Sequence, residues 1–124
     1  MPALHTILII EDNDDIRENL SEILELSGYK AISAENGGLG IEKAFEEKPD
    51  CIICDIAMPV KNGYEVFARL KSFCKDNAIP FIFLSASAQE RDLIKGKAAG
   101  VDAYITKPFD DEKLLQQIVD LLDR

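Results

Sequence analysis

Five apolar runs of strand length, at Thr6–Ile10, Lys30–Ala34, Cys51–Cys54, Phe81–Leu84 and Ala103–Thr106, are each followed by a stretch with helical spacing. Several of these runs are continuous rather than alternating, which implies burial on both faces, as in a parallel sheet. Strand and helix therefore alternate five times. That pattern predicts an α/β fold with a five-stranded parallel sheet, helices on both faces and right-handed crossovers. With 124 residues and neither a linker, an internal repeat nor a low-complexity tract, residues 1–124 read as one domain. Such a chain buries roughly two-thirds of its unfolded surface and needs no disulfide or metal staple.

The helices differ in strength. Ile16, Leu20, Ile23 and Leu24 repeat at helical spacing, with Asp14 or Asp15 as the expected cap and Ser27-Gly28 as the stop. Ile41, Ala44 and Phe45 mark a second helix whose first turn is expected to be loose, because Gly38 and Gly40 each cost about 1 kcal/mol relative to alanine. Val66, Phe67, Leu70 and Cys74 mark a third. A fourth, Gln89–Ala99, carries chiefly Leu93 and Ile94 with Gly96 inside it, and is expected to be the least firmly packed. The last, about Asp111 to Asp123, has a broad apolar face and acidic residues in its first turn, where the helix dipole favours them.

Acidic residues outnumber basic ones 23 to 14, a formal net charge of −9, so phosphate backbones and anionic lipid should repel the domain. No leader pattern and no apolar run near the ~20 residues of a membrane span is present, and the expected location is the cytoplasm. Cys51 and Cys54 form a C-x-x-C spacing. On a strand, residues three apart point to opposite faces, so these two and Cys74 read as core thiols rather than a redox pair or a zinc site.

The polar residues stand where the strands end. Glu11-Asp12 follow the first, Asp55 the third, Ser85 the fourth, and Lys107-Pro108 the fifth. In open α/β sheets ligands bind outside the carboxyl ends of the strands where the strand order reverses, and order 2-1-3-4-5 is one such arrangement. It makes strands one and three neighbours, ~4.8 Å apart, so that Asp12 and Asp55 face each other across a gap suited to a small hard cation, magnesium being the natural candidate. Unneutralised, Glu11, Asp12 and Asp55 repel one another and raise at least one pKa. Lys107 starts ~10 Å from Asp55, two strands away, but its long stem can bring the ammonium back to the centre. Carboxylates, a hydroxyl and an ammonium around a metal fit a phosphate-like anion.

The acidic pair Glu11-Asp12, the D-x-x-M-P-x-x-x-G run from Asp55 through Met58 and Pro59 to Gly63, Ser85-Ala86, and Tyr104-x-x-Lys107-Pro108-Phe109 are together highly specific. Over its whole length the chain resembles a response-regulator receiver domain, a doubly wound, flavodoxin-like sheet of order 2-1-3-4-5 with five helices. The resemblance implies a phosphoaspartate switch of a two-component phosphorelay rather than an enzyme acting on a separate substrate. Asp55 would take a phosphoryl group from the phosphohistidine of a sensor histidine kinase or a histidine phosphotransfer protein. Asp12, Asp55 and the carbonyl of Ala57 would bind Mg2+, with Glu11 acting mainly through a water. Lys107, preceding a cis proline, would neutralise the phosphoryl group. Ser85 would donate its hydroxyl to it and let Tyr104 turn inward, changing the face of helix four, strand five and helix five.

Simpler readings absorb the neighbouring residues. Capping explains Asp14 and Asp15, His5 is structural, Gly63 serves a turn needing permissive backbone geometry, and Pro59 restricts its loop. Tyr104 taken alone is a core aromatic; beside Lys107 it reads as the switch. A haloacid-dehalogenase-type phosphohydrolase shares the nucleophile, metal, hydroxyl and lysine, but requires a second carboxylate where this chain has Ala57. A flavin carrier needs phosphate-cradling donors where Glu11-Asp12-Asn13-Asp14-Asp15 stand. An unphosphorylated interaction module has no need of the full acidic, serine and lysine set. In transcription-factor relatives, ion pairs beside the switch tyrosine and on the last helix secure a dimer; here those positions are Ala103 and Gln117. The expectation is a largely monomeric domain that docks, through a face centred on Tyr104 and flanked by Lys95 and Lys97, onto a downstream protein or an adjacent output domain. Ala57 and Ser87, at positions that tune hydrolysis in this family, leave the acyl-phosphate lifetime open.

Overall fold

The structure is a computed structural model that describes residues 4–87 and 89–123. Strands β1 (Thr6–Ile10), β2 (Lys30–Ala34), β3 (Cys51–Asp55), β4 (Phe81–Ser85) and β5 (Ala103–Thr106) alternate with helices α1 (Asp14–Leu26), α2 (Gly37–Glu47), α3 (Gly63–Asp76), α4 (Glu90–Ala99) and α5 (Asp111–Leu122). All strand pairs are parallel, in the order β2-β1-β3-β4-β5. β3 and β4 each run one residue further than their apolar runs, so Asp55 and Ser85 are the last residues of their strands. Among the described residues no helix is long and apolar enough to cross a membrane.

The two-residue period of the strands sorts the core into two layers. Leu8, Ile10, Ile52, Cys54, Phe81 and Phe83 meet Ile41 and Ala44 of α2 and Val66, Phe67 and Leu70 of α3. Ile7, Ile9, Cys51, Ile53, Ile82 and Leu84 meet Leu20 and Leu24 of α1 and Leu114 and Ile118 of α5. Cys51 and Cys54 thus lie on opposite faces, as expected of core thiols. Burial pushes the Cys51 thiol up to about 12 and that of Cys74 up to about 11, which keeps both protonated and inert.

Local chemistry corrects two sequence expectations. The cap of α1 is Asn13, whose Oδ1 accepts from the Ile16 N–H at 3.0 Å, while Asp14 and Asp15 fill the first turn. Asn has the same short acceptor as Asp, and the residue that precedes the turn takes the role. The first turn of α2 is not loose. Asn36 caps it through the Leu39 N–H at 2.8 Å, and a Cβ on Gly40 would stand 2.6 Å from Ile10 Cδ1, so this glycine lets the helix approach β1. α4 is indeed the least embedded helix, with Gly96 its only buried residue among those described.

One loop residue is strained. Val60 has φ +68°, is 98% exposed, and sits at the centre of a turn closed by the Lys61 N–H donating to the Pro59 carbonyl at 2.8 Å. A branched side chain at positive φ stores strain of about 1–3 kcal/mol, against which glycine's larger unfolded-state freedom weighs ~0.4–1 kcal/mol. Val60→Gly should therefore raise the unfolding free energy by about 1 kcal/mol in a urea titration. A midpoint equal to or below that of the parent chain would show that the turn carries no strain.

Candidate functional site

The carboxyl ends of β1, β3, β4 and β5 converge because the strands are parallel and in close register: Ile10 pairs with Cys54, Asp55 with Leu84, and Ser85 with Thr106. Each side chain that follows or ends a strand is held by backbone next to it. The Glu11 N–H donates to the Ala34 carbonyl at 3.1 Å, the Ile56 N–H to Leu84 at 3.1 Å, and the Lys107 N–H to Ser85 at 2.7 Å. Arg17 of α1 ties down the loop after β1 through Nη1 to the Glu11 carbonyl at 2.9 Å. The Lys107–Pro108 peptide is cis.

Glu11, Asp12 and Asp55 each offer a carboxylate oxygen within 4.8 Å of the others. Glu11 and Asp55 are buried whereas Asp12 is exposed, so the cluster opens to solvent on the Asp12 side. The Lys107 Nζ reaches back across β4 to lie 2.8 Å from Glu11 Oε1 and 3.4 Å from Asp55 Oδ1. The Lys107 ammonium is the cation that faces the buried Glu11 Oε1. Its other oxygen receives a long 3.5 Å contact from the Asn13 N–H. An all-oxygen cluster of three carboxylates, two of them buried, is a donor set that fits a hard divalent cation.

The charges are in conflict. Burial, and then the Asp55 carboxylate, raise the pKa of Glu11 above its ordinary value, with Lys107 only partly offsetting them. For Lys107 burial works against the charge, but Glu11 and Asp55 outweigh it and hold the ammonium above its ordinary value. The raised carboxyl foreseen from the three acids is Glu11.

Ser85 is buried at the end of β4, and its Oγ accepts from the Ser87 N–H at 3.1 Å. Tyr104 is half-buried, and its hydroxyl donates to the Ser87 carbonyl at 3.1 Å. Ala57 is exposed in the loop after β3 and brings no second carboxylate to Asp55. Gly63 differs from expectation: its φ is not in the left-handed region, and what it provides is room. A Cβ there would lie 2.7 Å from the Asp55 carbonyl oxygen and 2.8 Å from Ile56 Cα, so the start of α3 lies directly on the backbone of Asp55. A cavity of about 660 Å³ opens at the opposite end of the sheet around Lys48, Lys71, Ile79 and Leu121 and contains none of these residues.

A parallel α/β sheet thus carries clustered carboxylates, a buried serine and a lysine at its carboxyl ends, a set of groups suited to a hard cation and a phosphate-like anion. The chain belongs to the response regulator receiver domain family, whose profile matches residues 7–119. It is 40% identical to protein PilH of Pseudomonas aeruginosa over 112 residues, 90% of this chain and 93% of that protein. The phosphate regulon transcriptional regulatory protein PhoB of the same organism is 38% identical, and there the match covers 96% of this chain but only 52% of the relative. Among solved structures, chemotaxis protein CheY4 of Vibrio cholerae superposes with a TM-score of 0.86 at 30% identity, covering 96% of this chain and 99% of that one. Receiver domains are phosphoaspartate signalling switches of two-component systems, not enzymes in the ordinary sense.

Proposed function

We propose that this chain accepts a phosphoryl group on Asp55 from the phosphohistidine of a sensor kinase or histidine phosphotransfer protein, in the cytoplasm, and reports it through the surface formed by α4, β5 and α5. The observation that carries this reading is the placement of the Lys107 ammonium, 3.4 Å from Asp55 Oδ1 and 2.8 Å from Glu11 Oε1, beside the carboxylate cluster. An Asp55 oxygen attacks phosphorus, the P–N bond breaks, and the imidazole nitrogen keeps the bonding pair. No base is needed, because the nucleophile is already an anion. Lys107 offsets the charge of the transferred group, and Ser85 donates its hydroxyl proton to a phosphoryl oxygen.

Glu11, Asp12 and Asp55 fit Mg2+ and would hold it together with the Ala57 carbonyl. A bound ion would supply charge neutralisation for the carboxylates and the incoming phosphoryl oxygens. Phosphoryl transfer asks the protein chiefly for this positioning and neutralisation. A phosphohydrolase reading fails on Ala57, which supplies no acid or base next to the nucleophile. The domain stays largely monomeric, since Ala103 and Gln117 offer no interfacial ion pairs, and residues 1–124 act as one receiver unit. Beryllofluoride with magnesium tests the reading. It should bind the parent chain and shift amide resonances across α4 and β5, and fail to bind Asp55→Ala; equal binding by both chains rules the reading out.

The buried acid also sets the stability of the metal-free fold. Glu11 holds its proton more tightly folded than unfolded, so its contribution is full below the ordinary carboxyl range and is lost as pH rises through the raised folded pKa. Glu11→Gln should therefore be more stable than the parent chain in chelator at neutral pH. That gap should narrow as pH is lowered toward the ordinary carboxyl range, where the parent takes up its proton. Magnesium should stabilise the variant less. Urea titrations at the two pH values check this, and a variant less stable at neutral pH would contradict it.

A further inference from the structure

Glycine is a poor residue for a helix interior because it loses the most backbone freedom on folding, so one held there needs a reason outside the helix. Gly96 is the only buried residue of α4 among those described, while Ile94 beside it is 59% exposed. A Cβ on Gly96 would stand 2.6 Å from Cδ2 and 3.0 Å from Cε2 of Tyr104, and 3.7 Å from Phe83 Cδ2. The edge of the Tyr104 ring therefore lies against a bare Cα.

The ring has little freedom to accommodate an added methyl group. Its hydroxyl is bound to the Ser87 carbonyl at 3.1 Å, and the Ser87 N–H is bound to Ser85 Oγ at 3.1 Å. Ser87 Oγ donates in turn to Asp92 in the first turn of α4. Beyond the notch, Tyr64 packs edge-on against Phe83 with ring centroids 5.0 Å apart, and the Lys95 ammonium lies 4.4 Å from the centre of the Tyr64 ring. With its hydroxyl bonded at one end and Phe83 beside it on β4, a ring pushed off Gly96 has to shift against the bond to Ser87.

We propose that Gly96 is a positioning residue of the switch: its bare Cα is the seat of the Tyr104 ring, and the absence of a side chain there sets how far the ring lies inward and which α4–β5 surface the chain presents. This rests on Tyr104 being the reporting residue. Gly96 touches neither the metal site nor the phosphoryl group, so its effect falls on signalling and not on phosphate uptake.

Gly96→Ala tests the proposal in the whole chain carrying isotope-labelled tyrosine, with the Tyr104 signals assigned from Tyr104→Phe. Alanine favours the helix, so the variant folds. The Tyr104 ring resonances and the Ser87 amide should move in Gly96→Ala both without ligand and with magnesium and beryllofluoride, while the rate of phosphorylation by acetyl phosphate stays within about twofold of the parent. Unchanged Tyr104 and Ser87 signals would overturn the proposal. A purely helical effect is separated by placing Gly96→Ala in a Tyr104→Ala background: the α4 amide shifts caused by the added methyl should largely disappear there, and their persistence would also overturn it. If instead Tyr104→Ala alone keeps the full beryllofluoride response of α4, the assignment of the switch fails, whereas the seat itself is still judged by the ring shifts.

Discussion

Asp55→Asn should lose phosphate uptake from acetyl phosphate by about a thousandfold or more, because the substitution removes the anionic nucleophile and leaves every other group in place. The amide is close in size to the carboxylate, so folding is not at risk. Its charge is what changes. Lys107, which lies 2.8 Å from Glu11 and 3.4 Å from Asp55, keeps its Glu11 partner. Glu11 loses a repulsive neighbour that now helps to raise its pKa. The variant should consequently be at least as stable as the parent chain in the absence of metal. Intact mass after incubation with acetyl phosphate and magnesium, together with a urea titration, checks both halves; uptake comparable to the parent would show that another residue is the acceptor.

The second large effect is structural and lies one turn of chain away. Gly63→Val should destabilise the fold by about 3 kcal/mol and weaken beryllofluoride binding at the same time. A Cβ at this position meets the Asp55 carbonyl oxygen at 2.7 Å and Ile56 Cα at 2.8 Å. Both are backbone atoms and cannot swing aside as a side-chain end could. Either α3 lifts off the sheet or the end of β3 shifts, and the second displaces the carboxylate of Asp55 from its neighbours. Gly38→Ala is the control, since the nearest atom to its added methyl is Asn36 Oδ1 at 3.5 Å. It should be neutral or stabilising by up to about 1 kcal/mol. Equal effects at the two glycines would mean that contact with Asp55 is not what Gly63 provides.

What was legible in the sequence divides along physical lines. Continuous apolar runs such as Leu8–Ile10 and Ile52–Cys54 announce two-sided burial, and helical spacing announces the helices, because both signals are local. The proposed site residues could be picked out because a parallel sheet delivers all its carboxyl ends to one edge, and Glu11, Asp12, Asp55, Ser85 and Lys107 are among the polar residues there. The roles of Gly40, Gly63 and Gly96 were not legible. Each answers to an atom distant in sequence or across a loop, namely Ile10, the Asp55 carbonyl and Tyr104, and a glycine code letter does not tell close approach from turn geometry. The same holds for Val60, whose branched side chain argues against the positive φ that the loop imposes. Asn13 displaced Asp14 as the cap because several adjacent residues were chemically able to cap and only the backbone decides among them. The link from Ser85 through Ser87 to Tyr104 runs partly through backbone atoms, which side-chain motifs do not encode.

The central claim is that Asp55 is a magnesium-dependent phosphoacceptor served by Lys107. Its most direct test is to locate the phosphoryl group on the parent chain after incubation with acetyl phosphate, in magnesium and in excess chelator, by reducing the acyl phosphate with borohydride and sequencing the tagged peptide by mass spectrometry. The tag should appear on Asp55, in magnesium only, and at a much lower level in Lys107→Ala. A tag on another residue, or one on Asp55 that is undiminished by chelator, would contradict it.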